Sequence, residues 1–243
     1  MAKTIAILGL GRFGRMTYRY LRDRNPLVWT RDATKLAGLA GAASFEQAAA
    51  CDIVVLTVPI SAMEETCGRL APLLRPGQIV VDTCSVKTEP VRVMTASLPA
   101  TVQILGTHPL FGPDSGKDGI VGLKIVVCRV RIDPAAYEPI RGFLVALGLQ
   151  LIETTAEEHD RQIARTQAIF HLLAQALGRL GWGGEPIATP GPEAFFRQVL
   201  TLGNDSAQLF VDMQRRNPFA AEYRQRLIEE LRRIDAELAG GRP

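Results

Sequence analysis

Aliphatic runs without polar alternation recur through the first part of the chain. Thr4 to Leu8, Ile53 to Thr57 and Ile79 to Asp82 are almost entirely apolar. Strands of this composition are buried on both faces, as in a parallel sheet that helices cover on each side. The pattern therefore predicts an α/β fold with a mostly parallel sheet. Further strands are expected at Leu27–Thr30, Ile104–Leu105 and Ile125–Cys128, and helices at Phe13–Arg22 and Met63–Leu74.

After residue 152 the strand-like runs stop and helical spacing takes over. Long helical stretches are predicted at Ala156 to about Leu180, at Glu193 to Arg216 and at Pro218 to Leu238. We therefore predict a sheet domain over residues 1–152 and an all-helical domain over residues 153–243. The helical part is too thin to bury its apolar faces alone. We expect a homodimer through it, and a self-sufficient bundle is the alternative.

A glycine-rich turn joins the first predicted strand to the first predicted helix. Its sequence is Gly9-Leu10-Gly11-Arg12-Phe13-Gly14, and this strand–turn–helix context is the one that dinucleotide binding requires. The glycines permit a tight turn and close approach to a pyrophosphate, which the helix N-terminus then binds. The turn predicts a Rossmann-type domain; a purely structural turn is the alternative. Expected cofactor contacts are Gly9, Gly11, Arg12, Phe13, Gly14, Thr57 and Pro59.

The end of the second predicted strand bears on the choice of cofactor. NAD enzymes usually place a carboxylate there to bind the ribose hydroxyls. This chain has Thr30 and Arg31 at that position, and a hydroxyl with a guanidinium suits a ribose phosphate. We therefore expect NADP, with Thr30 and Arg31 as further cofactor contacts. NAD remains the alternative, because a shift of one residue would bring Asp32 to the ribose.

One histidine is placed to do proton chemistry. His108 follows the apolar run from Val102 to Leu105 and opens the loop His108-Pro109-Leu110-Phe111-Gly112-Pro113. We expect it to be exposed at the end of a strand, where an imidazole can serve as a base near neutral pH. A dinucleotide turn followed by a base indicates a dehydrogenase. A loop histidine that bonds to backbone is the alternative.

The composition limits which partners, metal sites and cellular locations are expected for the protein. The chain has 243 residues, 47% of them hydrophobic and 22% charged, with a net charge of +3. We expect no nucleic-acid partner, because the arginines lack interleaved aromatic residues, and no membrane span. We expect no metal site, because the four cysteines form no CxxC pair and have no histidine at zinc spacing. Unpaired cysteines and a strand that starts near Met1 predict a cytoplasmic protein without a leader.

Several motifs recur together in one known family. They are Asp82-Thr83-Cys84-Ser85-Val86-Lys87, the His108 loop, and Glu157-Glu158-His159-Asp160 followed by Gln167 and His171. This ordered set resembles the prephenate and arogenate dehydrogenases of tyrosine biosynthesis. The likeness is closer to the plant-type arogenate dehydrogenases, because it extends to Ser115-Gly116-Lys117, Val130-Arg131-Ile132, Pro186-Ile187 with Thr189 and Gly191, and Asp205-Ser206.

The resemblance implies an oxidative decarboxylation. Hydride leaves a ring carbinol carbon for the nicotinamide, the hydroxyl proton goes to a base, and the ring carboxylate departs as carbon dioxide. His108 resembles the family histidine that bonds this hydroxyl, and Ser85 resembles the serine that helps to hold it. A strand-end cap is the alternative for Ser85. For His159, a direct function and a purely structural role are equally consistent with the sequence. Lys87 either holds the turn or meets a carboxylate.

The resemblance also places the substrate contacts. Gln167 and His171 share one helix face, which the family directs at the substrate, although His171 is also explained as a core histidine. In the plant type, an acid at Asp205 goes with the ammonium of arogenate, and Thr189 is a nearby pocket residue. Arg197 departs from the plant type and either binds a carboxylate or faces solvent. We therefore expect an NADP-linked arogenate dehydrogenase. A prephenate dehydrogenase is the first alternative, and a non-catalytic NADP-binding redox regulator is the remote one.

Overall fold

The computed structural model describes residues 3–202 and 205–240. The chain forms two compact units, one that ends at His159 and one that begins at Asp160. The predicted domain boundary at residues 152–153 stays a prediction. Each unit is described by itself below.

The first unit is built on a seven-stranded sheet with the order β2-β1-β3-β4-β5-β6-β7. Neighbouring strands pair in parallel except β5 and β6, which are antiparallel. The predicted Rossmann-type, mostly parallel sheet is therefore confirmed. The strands are β1 (Ile5–Leu8), β2 (Leu27–Trp29), β3 (Ile53–Leu56), β4 (Ile79–Asp82), β5 (Gln103–Pro109), β6 (Lys124–Arg131) and β7 (Gln150–Glu153).

Burial on both faces explains why the central strands are aliphatic throughout. Val54 and Val80 belong to one apolar cluster, whereas the next residues, Val55 and Val81, belong to another. Because successive side chains of a strand point to opposite faces, each face of the sheet has its own core. This double coverage removes the polar alternation that a solvent-facing sheet would show.

Five helices pack on the sheet or connect its strands. The two that were predicted are confirmed as α1 (Arg12–Leu21) and α3 (Met63–Leu70). The sequence prediction missed α2 (Phe45–Ala49), α4 (Thr88–Ser97), α5 (Pro134–Ala146) and strand β7. Prolines obscured two of these helices. Pro90 lies in the first turn of α4, where the missing amide hydrogen costs nothing, and Pro139 lies inside α5.

The remaining helices are α6 (Ala156–Arg165), α7 (Gln167–Leu180), α8 (Pro190–Leu202), α9 (Ala207–Arg216) and α10 (Ala220–Ala239). The single helix predicted from Ala156 to Leu180 is wrong, because Thr166 leaves the helical conformation at φ −117° and ψ −87°. The stretch predicted from Glu193 to Arg216 forms two helices, and residues 203–204 of that stretch lie outside the described residues.

Within the second unit, α7 packs against α8, α9 and α10. Buried amide side chains connect the segment around the end of α9 to α7 and α6. Gln214 Nε2 donates to the Ala168 carbonyl at 2.7 Å, and Asn217 Nδ2 donates to the Asp160 carbonyl at 2.8 Å. These bonds satisfy polar groups that burial would otherwise penalise. Over residues 3–202 and 205–240, no helix is both long and apolar enough to cross a membrane.

Candidate active site

The glycine turn is shaped by close contact with the end of β3. A Cβ on Gly14 would lie 2.3 Å from the Gly9 carbonyl oxygen, and a Cβ on Gly9 would lie 2.7 Å from the Thr57 carbonyl oxygen. Gly9 also has φ +110°, a conformation that suits glycine. The Thr57 hydroxyl donates to the Gly9 carbonyl at 2.8 Å. The structure thus brings Gly9, Gly14 and Thr57 together, and Pro59 lies exposed shortly after them.

The start of α1 has the properties of an anion site. Gly11 precedes the helix, and a Cβ added to it would have no neighbour within 4 Å. Gly11, the N-cap residue, has no side chain to cap this end of the helix, whose first turn contains Arg12 and Phe13. Backbone amides at the positive end of a helix dipole bind phosphate. The residues present therefore fit the pyrophosphate of a dinucleotide.

Arg12 links the glycine turn to the loop that follows β5. Its guanidinium donates to both carboxylate oxygens of Asp114, at 2.9 and 2.8 Å. Two further side chains of α1 hold the same loop: Tyr20 Oη donates to the Gly116 carbonyl, and Arg19 donates to the Lys117 carbonyl. The sequence interpretation missed Asp114, because 102 residues separate it from Arg12 and no local pattern connects the two.

The residues after β2 separate into a buried hydroxyl and an exposed cation. Thr30 is buried, whereas Arg31 is exposed and lies 4.0 Å from Glu65. Asp32 caps the following short helix and accepts hydrogen bonds from the Thr34 amide and hydroxyl at 3.1 and 2.5 Å. The Thr34 hydroxyl bond lowers the pKa of Asp32, so this carboxylate is ionised and committed to its cap.

His108 lies within β5, and the expectation that it is exposed is wrong. The strand continues past Leu105 to Pro109, because β6 pairs along it and places Val126 opposite His108. The His108 side chain is only 5% exposed. The imidazole is therefore held in a rigid strand instead of a loop.

A second histidine contacts the first. His108 Nδ1 lies 2.8 Å from His159 Nε2, and both rings are buried. Among the described residues, the His108 ring bonds to His159 and to no backbone atom, so the alternative of a loop histidine bonded to backbone is not supported. Residue 159 follows β7 on α6, so the sequence motif contained His159 without indicating this contact.

The surroundings keep His108 neutral. Burial lowers the pKa of His108 well below its usual 6.5, and the nearby His159 and Lys87 lower it further. A neutral imidazole has one ring nitrogen with a free lone pair, which is the state that accepts a proton. With Nδ1 engaged by His159, the nitrogen left for a reacting hydroxyl is Nε2.

A buried ion pair supports the end of β5. Asp82 and Lys87 are both fully buried, and Lys87 Nζ donates to Asp82 Oδ1. Lys87 Nζ also donates to the Thr107 carbonyl at 2.5 Å, and the Thr107 hydroxyl donates to the Asp82 carbonyl at 2.6 Å. Lys87 therefore holds the turn after β4, and it does so beside the residue that precedes His108.

Ser85 lies in the turn between Asp82 and Lys87. Its side chain is buried, and its Oγ has no hydrogen-bond partner among the described residues. A strand-end cap would bond to backbone, so this alternative is not supported. A buried hydroxyl without a partner is costly, and binding a polar ligand atom would remove that cost.

In the helical unit, His171 and Asp205 interact. His171 is buried in α7, and burial lowers its pKa, whereas the negative charge of Asp205 opposes this shift. Asp205 is half-buried directly before α9, and Gln167, one turn before His171, is half-buried as well. Three predicted substrate residues thus lie in one unit, and two of them are within electrostatic reach of each other.

Thr189 and Arg197 line a cavity of the helical unit whose lining does not include Gln167, His171 or Asp205. This cavity of about 600 Å³ lies between the segment before α8 and α8 itself, and its apolar lining includes Trp182, Phe196 and Leu200. Arg197 is exposed. Both alternatives for Arg197, carboxylate binding and solvation, therefore stay open.

Comparison with known proteins agrees with these features. The family model described as prephenate dehydrogenase, nucleotide-binding domain, matches residues 8–122, and the one described as TYRAAT1-like, C-terminal domain, matches residues 176–242. Arogenate dehydrogenase 2, chloroplastic, from Arabidopsis thaliana is 34% identical over 98% of this chain and 71% of that protein. Arogenate dehydrogenase 1, chloroplastic, from the same plant is 29% identical over 97% of this chain, which spans 39% of that protein.

A solved structure shares the fold. The crystal structure of prephenate dehydrogenase from A. aeolicus in complex with hydroxyphenyl propionate and NAD+ has a TM-score of 0.74 and 19% identity, over 99% of this chain and 93% of that chain. The glycine turn and the buried histidine fit the same family that the sequence identity indicates. The protein therefore belongs to the family of prephenate and arogenate dehydrogenases.

Proposed function

We propose that this protein oxidatively decarboxylates L-arogenate to L-tyrosine, with hydride transfer to NADP. The observation that carries the proposal is the neutral His108, buried in β5 with Nδ1 engaged by His159. A site that only binds a nucleotide has no need of such a base. The sequence identity with the plant arogenate dehydrogenase supports the same assignment.

The reaction chemistry assigns the proton-transfer steps to His108 of the first unit. NADP, when bound, supplies the acceptor for the hydride from the ring carbinol carbon. His108 Nε2 takes the hydroxyl proton, and the oxygen forms a carbonyl as the carbon–hydrogen bond breaks. Loss of the ring carboxylate as carbon dioxide then makes the ring aromatic and leaves a phenolate oxygen. His108 returns its proton to that oxygen, so the imidazole ends each turnover neutral.

Ser85 is proposed to orient the reacting hydroxyl. Its buried Oγ has no partner among the described residues, so it is available to bond the same substrate oxygen. A single hydroxyl is both donor and acceptor. Ser85 is therefore able to bond the oxygen before and after its proton has gone to His108.

The preference for NADP is proposed from the residues after β2. The Arg31 side chain is 76% exposed, and its contact with Glu65 at 4.0 Å is weak. A guanidinium in this state is able to pair with a ribose phosphate. Asp32, which would repel that phosphate, is held by Thr34. The A. aeolicus relative was solved with NAD+, so the two cofactors have to be compared directly.

The substrate side chain is proposed to bind in the helical unit. Arogenate carries an ammonium group where prephenate carries a keto group. The Asp205 carboxylate complements the ammonium, while Gln167 and His171 are proposed to bond the carboxylates of the substrate. Thr189 is proposed as a further contact. Prephenate is the second candidate substrate, because Arg197 offers an exposed cation for a side-chain carboxylate.

Steady-state kinetics with arogenate and prephenate, each with NADP and with NAD, tests the proposal. We expect the highest kcat/KM for arogenate with NADP. A large preference for prephenate would reject the role of Asp205, and a preference for NAD would reject the role of Arg31. Nucleotide binding without turnover of either substrate would reject the enzyme assignment for this chain.

Asp205→Asn is expected to shift the substrate preference towards prephenate. The amide removes the charge that pairs with the ammonium, and like-charge repulsion of a keto acid disappears with it. We expect the ratio of kcat/KM for arogenate over prephenate to fall about 10- to 100-fold, which corresponds to about 1.4–2.8 kcal/mol. Asp235→Asn, on the exposed face of α10, is the matched control and should leave the ratio unchanged.

A homodimer through the helical unit is also proposed. Several large apolar side chains of this unit are exposed in the single chain, including Ile187 at 95%, Leu200 at 66% and Leu238 at 79%. Apolar exposure of this extent on one unit is typical of a surface that a partner covers.

A cytoplasmic location is proposed from the state of the cysteines. Cys51, Cys67, Cys84 and Cys128 are all buried, reduced thiols. Burial raises the pKa of the Cys67 thiol to about 12, so this group stays protonated and unreactive. Buried, reduced thiols suit a reducing compartment.

A further inference from the structure

We propose that His159 is a positioning residue that holds His108 in the tautomer with its proton on Nδ1. This tautomer leaves the Nε2 lone pair for the substrate hydroxyl. The catalytic consequence rests on the proposed function above, whereas the tautomer itself does not. The two are therefore tested separately.

The geometry requires one shared proton between the two rings. His108 Nδ1 and His159 Nε2 lie 2.8 Å apart, which is hydrogen-bond distance for two nitrogens. The rings are 5% and 3% exposed, and their planes cross at 73° with centroids 5.1 Å apart. Two lone pairs would repel at this distance and so would two N–H groups. One nitrogen therefore donates and the other accepts.

Only one of the two arrangements makes His108 a base. If His108 Nδ1 donates, its Nε2 has a free lone pair. If His159 Nε2 donates instead, a neutral His108 carries its own proton on Nε2 and is unable to accept another one. The partner of one ring nitrogen thus determines the function of the other, as in histidine sites where a second group fixes the tautomer.

A histidine partner has a different effect from a carboxylate. A carboxylate that orients a histidine also stabilises the imidazolium and raises its pKa. His159 fixes direction without supplying negative charge, and Lys87 adds positive charge nearby. The result is a weak base of defined orientation. A weak base is sufficient here, because loss of hydride makes the hydroxyl proton strongly acidic and removal of that proton then needs little driving force.

The tautomer is measurable without substrate or cofactor. The chain has three histidines, so nitrogen-15 labelling of histidine gives three imidazole systems in a long-range proton–nitrogen correlation spectrum of the full-length protein. We expect the His108 signals of a protonated Nδ1 and an unprotonated Nε2 near neutral pH. A protonated Nε2 with an unprotonated Nδ1 on His108 would overturn the proposal, whatever the enzyme activity.

Variants at position 159 separate positioning from folding. His159→Gln places an acceptor oxygen near the former Nε2 and should keep the proton on His108 Nδ1. His159→Ala removes the acceptor, so the His108 signals should shift towards the other tautomer. His171 lies in the helical unit and serves as an internal control, because unchanged His171 signals report that this unit stays folded.

The same variants carry a kinetic test. His159→Ala should lower kcat about 10- to 100-fold, less than removal of the base itself, and His159→Gln should recover most of that loss. Equal kcat for His159→Ala and the unmodified protein would overturn the positioning role. Failure of the proposed function is distinguishable, because the unmodified protein would then turn over neither substrate while the tautomer result remained interpretable.

Discussion

Replacing His108 with alanine is expected to lower kcat about 10²- to 10⁴-fold while cofactor binding is retained. The imidazole is the buried base that we propose for the substrate hydroxyl, and it is part of β5 and not of the glycine turn. The measurement is steady-state turnover together with NADPH fluorescence titration. His108→Gln keeps the side-chain volume and should lose kcat to a similar extent.

The pH dependence of the unmodified protein makes the same prediction more specific. The neutral form of His108 is the active one, and burial together with His159 and Lys87 lowers its pKa well below 6.5. As pH falls, kcat should therefore stay constant through 6.5 and decline only at lower pH. In His108→Gln this acid limb should disappear. Full activity in His108→Ala or in His108→Gln, with cofactor binding intact, would show that His108 is not the base.

The sequence predicted the fold well where burial on both faces leaves a continuous apolar run. Strands β1, β3 and β4 were recognisable because both faces of each are covered, and this excludes polar residues. β7 was not recognisable, since its residues are half-exposed or exposed and its pattern resembles a loop. The break at Thr166 was missed because the apolar spacing of α6 and α7 continues across it.

The candidate site was predictable in its residues and less so in its contacts. His108 was identified from the motif that contains it, but its position within a strand depends on pairing with β6, which follows later in the chain. His159 was recognised as part of a motif, yet its partner lies 51 residues away. Contacts of this kind are set by strand order and register, which a local pattern does not contain. Residue types therefore predicted chemistry, and topology determined which groups meet.

Lys87 is a second residue whose contacts were not predictable from the local sequence, and in this case the contacts determine stability. The sequence left open whether it holds the turn or meets a carboxylate. In the structure it is fully buried and contacts Asp82 and the Thr107 carbonyl. A lysine is seldom buried without a partner, because removing its charge from water is costly. Lys87 therefore connects the ends of β4 and β5.

Lys87→Met is expected to destabilise the protein by about 3–5 kcal/mol, because it leaves the Asp82 carboxylate buried and unpaired. Asp82 would keep one hydrogen bond from the Cys84 amide at Oδ1, while Oδ2 has no hydrogen-bond partner among the described residues. Urea unfolding measures the loss. Lys124→Met, at an exposed position of β6, is the matched control and should change stability by less than about 0.5 kcal/mol.

The double variant Asp82→Leu/Lys87→Met separates the cost of an orphaned charge from the value of the pair. An apolar pair of similar volume leaves no buried charge, so most of the lost stability should return. Loss of the Lys87 charge should also raise the pKa of His108, which moves the acid limb of kcat to higher pH. A double variant that regains stability but keeps the original acid limb would show that Lys87 supports the strand ends without influencing the base. If Lys87→Met alone cost less than about 1 kcal/mol, the carboxylate would have to be protonated or solvated in the folded protein, and the buried ion pair would not be what holds this turn.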